Sequence, residues 1–158
     1  MHAPRIDLLY DYLQVAGGAE RLSLMMSRSL PARLRVSAVA PALRESCMGV
    51  DMDVLSPRSL ASSLPLRTFG AWRSFRALRG VSDDVVAALF SGHYAPLSWR
   101  AYPRARRVLY LHGPPLPFCL DREDPALQAV PRAMRGLLRP VFARLLAQYR
   151  DAVAGMHA

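Results

Sequence analysis

The sequence predicts an α/β protein with a doubly wound parallel sheet, in a single domain that spans residues 1–158. Three observations predict this class. The chain opens with a strand, a glycine turn and a helix, and strand-type and helix-type segments then alternate. The run Val85–Phe90 is continuously apolar, which is typical of a parallel strand covered on both faces. A chain of 158 residues suffices for one core and is short for two.

The opening segment is the best candidate for a ligand-binding turn. Residues 6–13 suit a strand, and apolar residues recur at helical spacing from Leu22 to Leu30. Gly17 and Gly18 lie between them, where bare backbone lets a ligand approach and glycine permits a positive φ. The free N–H groups of the first helical turn and the positive end of the helix dipole suit a phosphate or a hydroxyl-rich ligand, and Glu20 is favourably placed in the same turn. A purely structural turn is the alternative.

The next segments continue the alternation. Residues 34–41 and 50–55 predict the second and third strands, with a loop at 41–49 between them. Residues 56–80 predict a helix whose apolar side chains repeat every third residue, so that its apolar stripe drifts by about 60° per step. We therefore expect a helix packed on both sides, with peripheral membrane contact as the alternative.

Two histidines follow predicted strands at their carboxyl ends. His93 and Tyr94 follow Val85–Phe90, and His112 ends the predicted strand 106–112. Because open parallel sheets bind ligands at this edge, both histidines are candidates for a site near the glycine turn. A loop or helix-start residue is the alternative for His93, and a core histidine is the alternative for His112.

The last predicted element is an amphipathic helix over residues 126–153. Pro131 fits the first turn of such a helix, whereas Pro140 is expected to kink or divide it.

Composition narrows the class of partner. The net charge is +9 and all 21 basic residues are Arg, but they are spread along the chain. This favours anionic partners such as sugar-nucleotide phosphates or an acidic membrane face, and it argues against nucleic acid, which is usually bound by a basic block.

Cys47 and Cys119 predict neither a disulfide framework nor a zinc site. With no apolar run of about 20 residues and no signal sequence, we expect a cytoplasmic location.

Two segments together carry a resemblance to a known family. Val15-Ala16-Gly17-Gly18-Ala19-Glu20-Arg21 and Val108-Leu109-Tyr110-Leu111-His112-Gly113-Pro114-Pro115 resemble the amino-terminal half of GT-B glycosyltransferases of family 4. The likeness covers nearly the whole chain. The second segment is most similar to mannosyltransferases that use GDP-mannose, although Leu116-Pro117 stands where many of those enzymes carry Arg.

The resemblance implies a Rossmann-like, acceptor-side domain of a retaining enzyme. His112 would be the catalytic candidate, positioning a sugar hydroxyl, and the expected substrate-binding residues are Gly17, Gly18, Glu20, His93, Tyr94 and Gly113. The nucleotide-sugar, GDP-mannose in the mannosyltransferase case, would be a co-substrate, with no cofactor and no metal. The partner molecules would be a glycan or lipid-linked acceptor.

The paired glutamates of the family's donor-binding, carboxyl-terminal domain have no counterpart in these 158 residues. We therefore expect this polypeptide to be inactive alone, with the second domain encoded downstream or carried by a separate chain. The alternative function is a non-catalytic Rossmann-like module that holds a nucleotide.

Overall fold

A computed structural model of the protein describes residues 4–15, 17–56, 64–112 and 132–156. These residues form an α/β fold around a five-stranded, all-parallel sheet with the strand order β3-β2-β1-β4-β5. The strands are β1 Arg5–Tyr10, β2 Ala32–Val36, β3 Met52–Val54, β4 Val85–Ser91 and β5 Arg106–Tyr110. The helices are α1 Gly18–Ser29, α2 Leu64–Ala77 and α3 Arg132–Ala154, with a 3₁₀ helix at Ala95–Ala101 between β4 and β5.

Successive strand residues point to opposite faces of the sheet, so apolar side chains lie on both faces and helices cover both. In β1, Leu8 and Tyr10 face the side of α1, where they pack with Leu24. Leu9 points to the opposite side and packs with residues of α2, the 3₁₀ helix and α3. Both cores are apolar, which explains why the inner strands read as nearly continuous hydrophobic runs.

The strand order creates a crevice between β1 and β4. The chain enters at β1, runs outward to β2 and β3, and then returns to β4 on the other side of β1. In such a sheet the connections after the two diverging strands leave in opposite directions, and ligands bind at their carboxyl ends. The glycine turn follows β1, and the loop containing His93 follows β4.

A buried polar network ties β1 to its neighbours. The Asp7 carboxylate, fully buried, accepts hydrogen bonds from Arg35 Nε at 2.7 Å and from the Tyr102 hydroxyl at 2.9 Å. Arg35 also donates to Asp53 at 2.7 Å. One guanidinium thus holds β1, β2 and β3 together, and a phenol from the segment before β5 joins the same carboxylate.

The doubly wound parallel fold predicted from the sequence is confirmed, and five strands lie where strand-like segments were predicted. Their ends differ. The predicted first strand, residues 6–13, ends at Tyr10, because Asp11 turns its side chain to the loop after β4 and Leu13 makes only an isolated bridge to Val39. The second strand ends at Val36 and not at residue 41, because beyond it the chain makes only an isolated bridge from Val39 to Leu13 before a short 3₁₀ helix begins at Pro41.

The two long helices also differ in part from prediction. Pro140 was expected to kink or divide the last helix; it lies inside α3, which continues through it undivided. Pro131 and the start of the predicted helix lie outside the described residues. In α2 the winding stripe is present: Phe75 is fully buried, Trp72 is half-buried and Phe69 is exposed.

Candidate active site at the carboxyl edge of the sheet

The glycine turn leaves the start of α1 uncapped. Gly17 occupies the N-cap position with φ −76° and ψ 175°, and no side chain in the described part of the chain caps the helix. A Cβ at Gly18 would meet no atom of the described residues within 4 Å. The backbone at Gly18 is therefore open, and the positive end of the helix dipole faces that opening.

Gly17 and Gly18 do not use the positive φ that glycine permits. Gly17 has an extended backbone that any residue adopts, and among the described glycines positive φ values occur at Gly49, Gly80 and Gly92. Any requirement for glycine at residues 17 and 18 must therefore come from access to the backbone and not from its conformation.

Glu20 folds back over the turn and reaches the end of β1. A Cβ at Gly17 would lie 2.6 Å from Glu20 Oε2, so the carboxylate covers this glycine. The same carboxylate also acts on Tyr10, the last residue of β1. Burial, followed by the negative charges of Glu20 and Asp11, raises the pKa of Tyr10 above its usual value. The phenol consequently keeps its proton.

His112 lies at the same edge, two residues beyond the end of β5. Its Nε2 is 2.6 Å from the hydroxyl of Ser91, the last residue of β4. The ring of Tyr10 lies 5.9 Å away and that of Tyr110 lies 5.1 Å away, both nearly perpendicular to the imidazole. The imidazole as a whole is exposed, so it can reach a ligand.

These contacts bring the glycine turn and His112 together. The Glu20 charge acts on the Tyr10 phenol, and the ring of Tyr10 pairs with that of His112. We refer to Tyr10, Glu20, Ser91 and His112 as the rim cluster. It combines two buried hydroxyl groups, on Tyr10 and Ser91, with the half-buried Glu20 carboxylate and the exposed His112 imidazole, and the last two groups can hydrogen-bond to sugar hydroxyls.

The loop after β4 is held down by Asp11. Its buried carboxylate accepts hydrogen bonds from the backbone N–H groups of His93 at 2.6 Å, Tyr94 at 2.8 Å and Ala95 at 2.8 Å. Burial raises the pKa of the Asp11 carboxyl, against the opposing effect of these three donors and of the His93 charge. This carboxylate fixes the loop after β4 to the end of β1.

The predicted site residues on this loop have different surroundings. His93 is half-buried beside the rim. The Tyr94 side chain is only 2% exposed and packs in the core beneath the sheet edge. Burial also raises the pKa of the Tyr94 phenol. The burial of Tyr94 favours packing over ligand contact for its side chain. Gly113 lies outside the described residues.

Sequence reasoning did not single out Tyr10, Ser91 and Asp11. Each stands at or just after the carboxyl end of β1 or β4, which is where polar residues gather at the ligand-binding edge of such sheets. That position was the signal available in the sequence. It could not show which of these side chains meet across the sheet.

Within the described ranges, no three His, Cys, Asp or Glu side chains form a group that could hold a metal ion. No helix in the described part of the chain is long and apolar enough to cross a lipid bilayer.

Comparisons with protein families, with curated proteins and with solved structures found no match to this chain.

Proposed function

We propose that the chain is the acceptor-side, amino-terminal domain of a retaining GT-B glycosyltransferase of family 4. In this role it serves the transfer of a sugar from a nucleotide-sugar to a glycan or a lipid-linked acceptor. Mannose, supplied as GDP-mannose, is the sugar that the segment Tyr110-Leu111-His112-Gly113-Pro114-Pro115 favours.

One observation carries the proposal: two segments far apart in sequence converge on one residue at the ligand-binding edge. The Gly17–Gly18 turn reaches Tyr10 through Glu20, and His112 reaches the same ring at 5.9 Å. These are the two segments on which the family resemblance rests.

The chemistry of the edge suits glycosyl transfer. In the transition state, positive charge develops on the sugar ring and negative charge on the departing diphosphate. His112 can hydrogen-bond a sugar hydroxyl and so orient the ring, which is where much of the rate gain from positioning arises. The uncapped amides of α1 and the net charge of +9 favour the anionic nucleotide.

In this proposal the domain forms one wall of a two-domain cleft. A second Rossmann-like domain grips the nucleotide and closes the site, because open water would weaken each electrostatic interaction with the transition state. The 158-residue polypeptide by itself should therefore transfer no sugar. The acceptor is a glycan or a lipid-linked glycan, and contact with an anionic membrane face would bring the domain to the latter.

The second candidate is a non-catalytic Rossmann-like module that binds a nucleotide. The uncapped amides at the start of α1 favour it, since they need no other group to hold a phosphate. It gives no role to His112, so His112→Ala should leave nucleotide binding intact and no transfer should ever be observed.

A transfer assay tests the proposal. The polypeptide is incubated with labelled GDP-mannose and lipid-linked glycan acceptors, alone and as a chimera in which a GT-B donor-binding domain follows Ala158. We expect no transfer by the isolated chain, transfer by the chimera, and a loss of at least about 100-fold in kcat for the His112→Ala chimera, which loses one hydrogen bond to the sugar in the transition state. Met48→Ala, a change at an exposed side chain between β2 and β3, is the control.

Robust transfer by the isolated chain would contradict the two-domain proposal. A chimera that binds the nucleotide but never transfers sugar, with or without His112, would favour the binding module.

A further inference from the structure

Ser91 is placed to determine which nitrogen of His112 carries the proton. It ends β4, and its hydroxyl lies 2.6 Å from His112 Nε2. The residue is only 2% exposed, so this hydroxyl is withdrawn from water. A neutral imidazole has one N–H donor and one acceptor nitrogen, and the partner of one nitrogen decides the role of the other.

The direction of this hydrogen bond follows from burial. Among the described residues, the Ser91 hydroxyl has no side-chain or backbone partner other than His112 Nε2. If it accepted a proton from Nε2, its own buried O–H would lack an acceptor, and an unmet buried donor costs about 1–3 kcal/mol. If the Ser91 hydroxyl instead donates to Nε2, its O–H has an acceptor, and only lone pairs of the serine oxygen are left without a partner. The second arrangement is therefore favoured.

The aromatic neighbours limit the freedom of the ring to turn. The rings of Tyr10 and Tyr110 are both nearly perpendicular to the imidazole, at interplanar angles of 87° and 82°. Tyr10 is itself buried, which limits the movement of its ring. Turning the imidazole by half a turn about the Cβ–Cγ bond would put Cε1 in the place of Nε2 and so break the Ser91 bond.

We infer that Ser91 is a positioning residue that holds His112 as the Nδ1–H tautomer, with Nδ1 left to donate to a ligand oxygen. Applied to the proposed glycosyltransferase, on which this last step rests, His112 gives a hydrogen bond to an oxygen of the sugar and does not act as a base. The ligand group it recognises is thus a hydrogen-bond acceptor, such as a hydroxyl or an ether oxygen of a pyranose.

Nitrogen NMR of the imidazole side chains tests this inference without any substrate. In mildly alkaline buffer, we expect wild-type His112 to show a protonated Nδ1 and an unprotonated Nε2. The His112→Ala variant assigns the signals. We expect Ser91→Ala to give a mixture of the two tautomers and Ser91→Thr, which keeps the hydroxyl, to restore the wild-type pattern. Ser98→Ala is the matched control, because Ser98 is also buried and its hydroxyl bonds instead to the Ala95 carbonyl at 2.7 Å.

A wild-type His112 with a protonated Nε2 would overturn the inference, even if Ser91→Ala failed to fold. A tautomer unchanged by Ser91→Ala would overturn it as well. If the Nδ1–H tautomer is found but the chimera transfers no sugar, the role of Ser91 stands and the proposed function fails.

Discussion

The Asp11 carboxylate lies directly against Gly92, so close that any side chain at residue 92 would collide with it. A Cβ at Gly92 would be 2.6 Å from Asp11 Oδ1 and 2.9 Å from Oδ2. Gly92 also has φ +126°, which side chains rarely adopt. Because three backbone N–H groups hold this carboxylate, it cannot move aside. The pair therefore sets the path of the chain from β4 into the 3₁₀ helix.

We predict that Gly92→Ala lowers the free energy of unfolding by about 2–4 kcal/mol, the sum of backbone strain and steric overlap with a fixed side chain. Denaturant titration followed by circular dichroism measures it. Gly136→Ala is the control: this glycine lies in α3, a Cβ there would meet nothing within 4 Å, and the change should be neutral or stabilise by up to about 1 kcal/mol. Equal effects of the two substitutions would contradict the prediction.

A second prediction concerns the buried network around Asp7. Arg35→Met should cost about 3–5 kcal/mol, because it leaves the fully buried Asp7 carboxylate without its cation. Arg33→Met is the matched control on the same strand, since Arg33 pairs with an exposed Asp51, and it should cost under about 1 kcal/mol.

The double variant Asp7→Leu/Arg35→Met sharpens the test. It removes both charges, so most of the stability should return, apart from about 1–2 kcal/mol for the Tyr102 hydroxyl that loses its acceptor. If the double variant were less stable than Arg35→Met alone, the uncompensated carboxylate would not be the cause of the loss.

A third prediction is a loss of stability in alkali. Burial raises the pKa values of Tyr10, Tyr94 and Tyr102, and nearby carboxylates add to this at each of them. In the unfolded chain these phenols ionise near pH 10. Above that pH the folded state binds more protons than the unfolded state, so the free energy of unfolding must fall as pH rises. The stabilisation is fully present below about pH 10.

Circular dichroism and phenolate absorbance, recorded over the same alkaline titration, measure this effect. The absorbance of the buried phenols should rise together with unfolding, and Tyr102→Phe should make stability decline less steeply above about pH 10. Ionisation of all three phenols while the sheet remains folded would contradict the prediction.

The fold could be predicted because its signals are local. The apolar run Val85–Phe90 and the change of periodicity at Gly17–Gly18 each mark an element without reference to distant residues. Strand ends were harder, because they depend on partners elsewhere in the chain. The first strand ends at Tyr10 because the Asp11 carboxylate accepts hydrogen bonds from backbone N–H groups of the loop after β4. The sequence of residues 6–13 alone gives no sign of these distant partners.

The sequence predicted which edge of the sheet carries the candidate site, but not which side chains meet there. Parallel strands place their carboxyl ends together, so the proximity of the glycine turn and His112 followed from the fold class. The Ser91–His112 hydrogen bond and the fold-back of Glu20 over Gly17 depend on register and rotamers, which periodicity does not reveal. For the same reason Tyr94, adjacent to His93 in sequence, is buried while His93 lies beside the rim.

The last prediction separates a ligand-binding turn from a structural one. At Gly18 a side chain meets open space, and at Gly17 the extended backbone accepts any residue once the flexible Glu20 carboxylate swings away. Gly17→Ala and Gly18→Val should therefore leave the free energy of unfolding within about 1 kcal/mol of wild type.

Ligand binding should respond quite differently. If a phosphate or sugar approaches the bare backbone of α1, the valine at residue 18 fills the approach path, and the nucleotide-sugar affinity of the chimera should fall at least about tenfold, a loss of about 1.4 kcal/mol. Calorimetry on the chimera measures it, with Gly136→Ala as the control remote from the turn. Unchanged affinity in Gly18→Val would mean that no ligand uses this backbone, and a large loss of stability instead would mean that the glycine serves the fold alone.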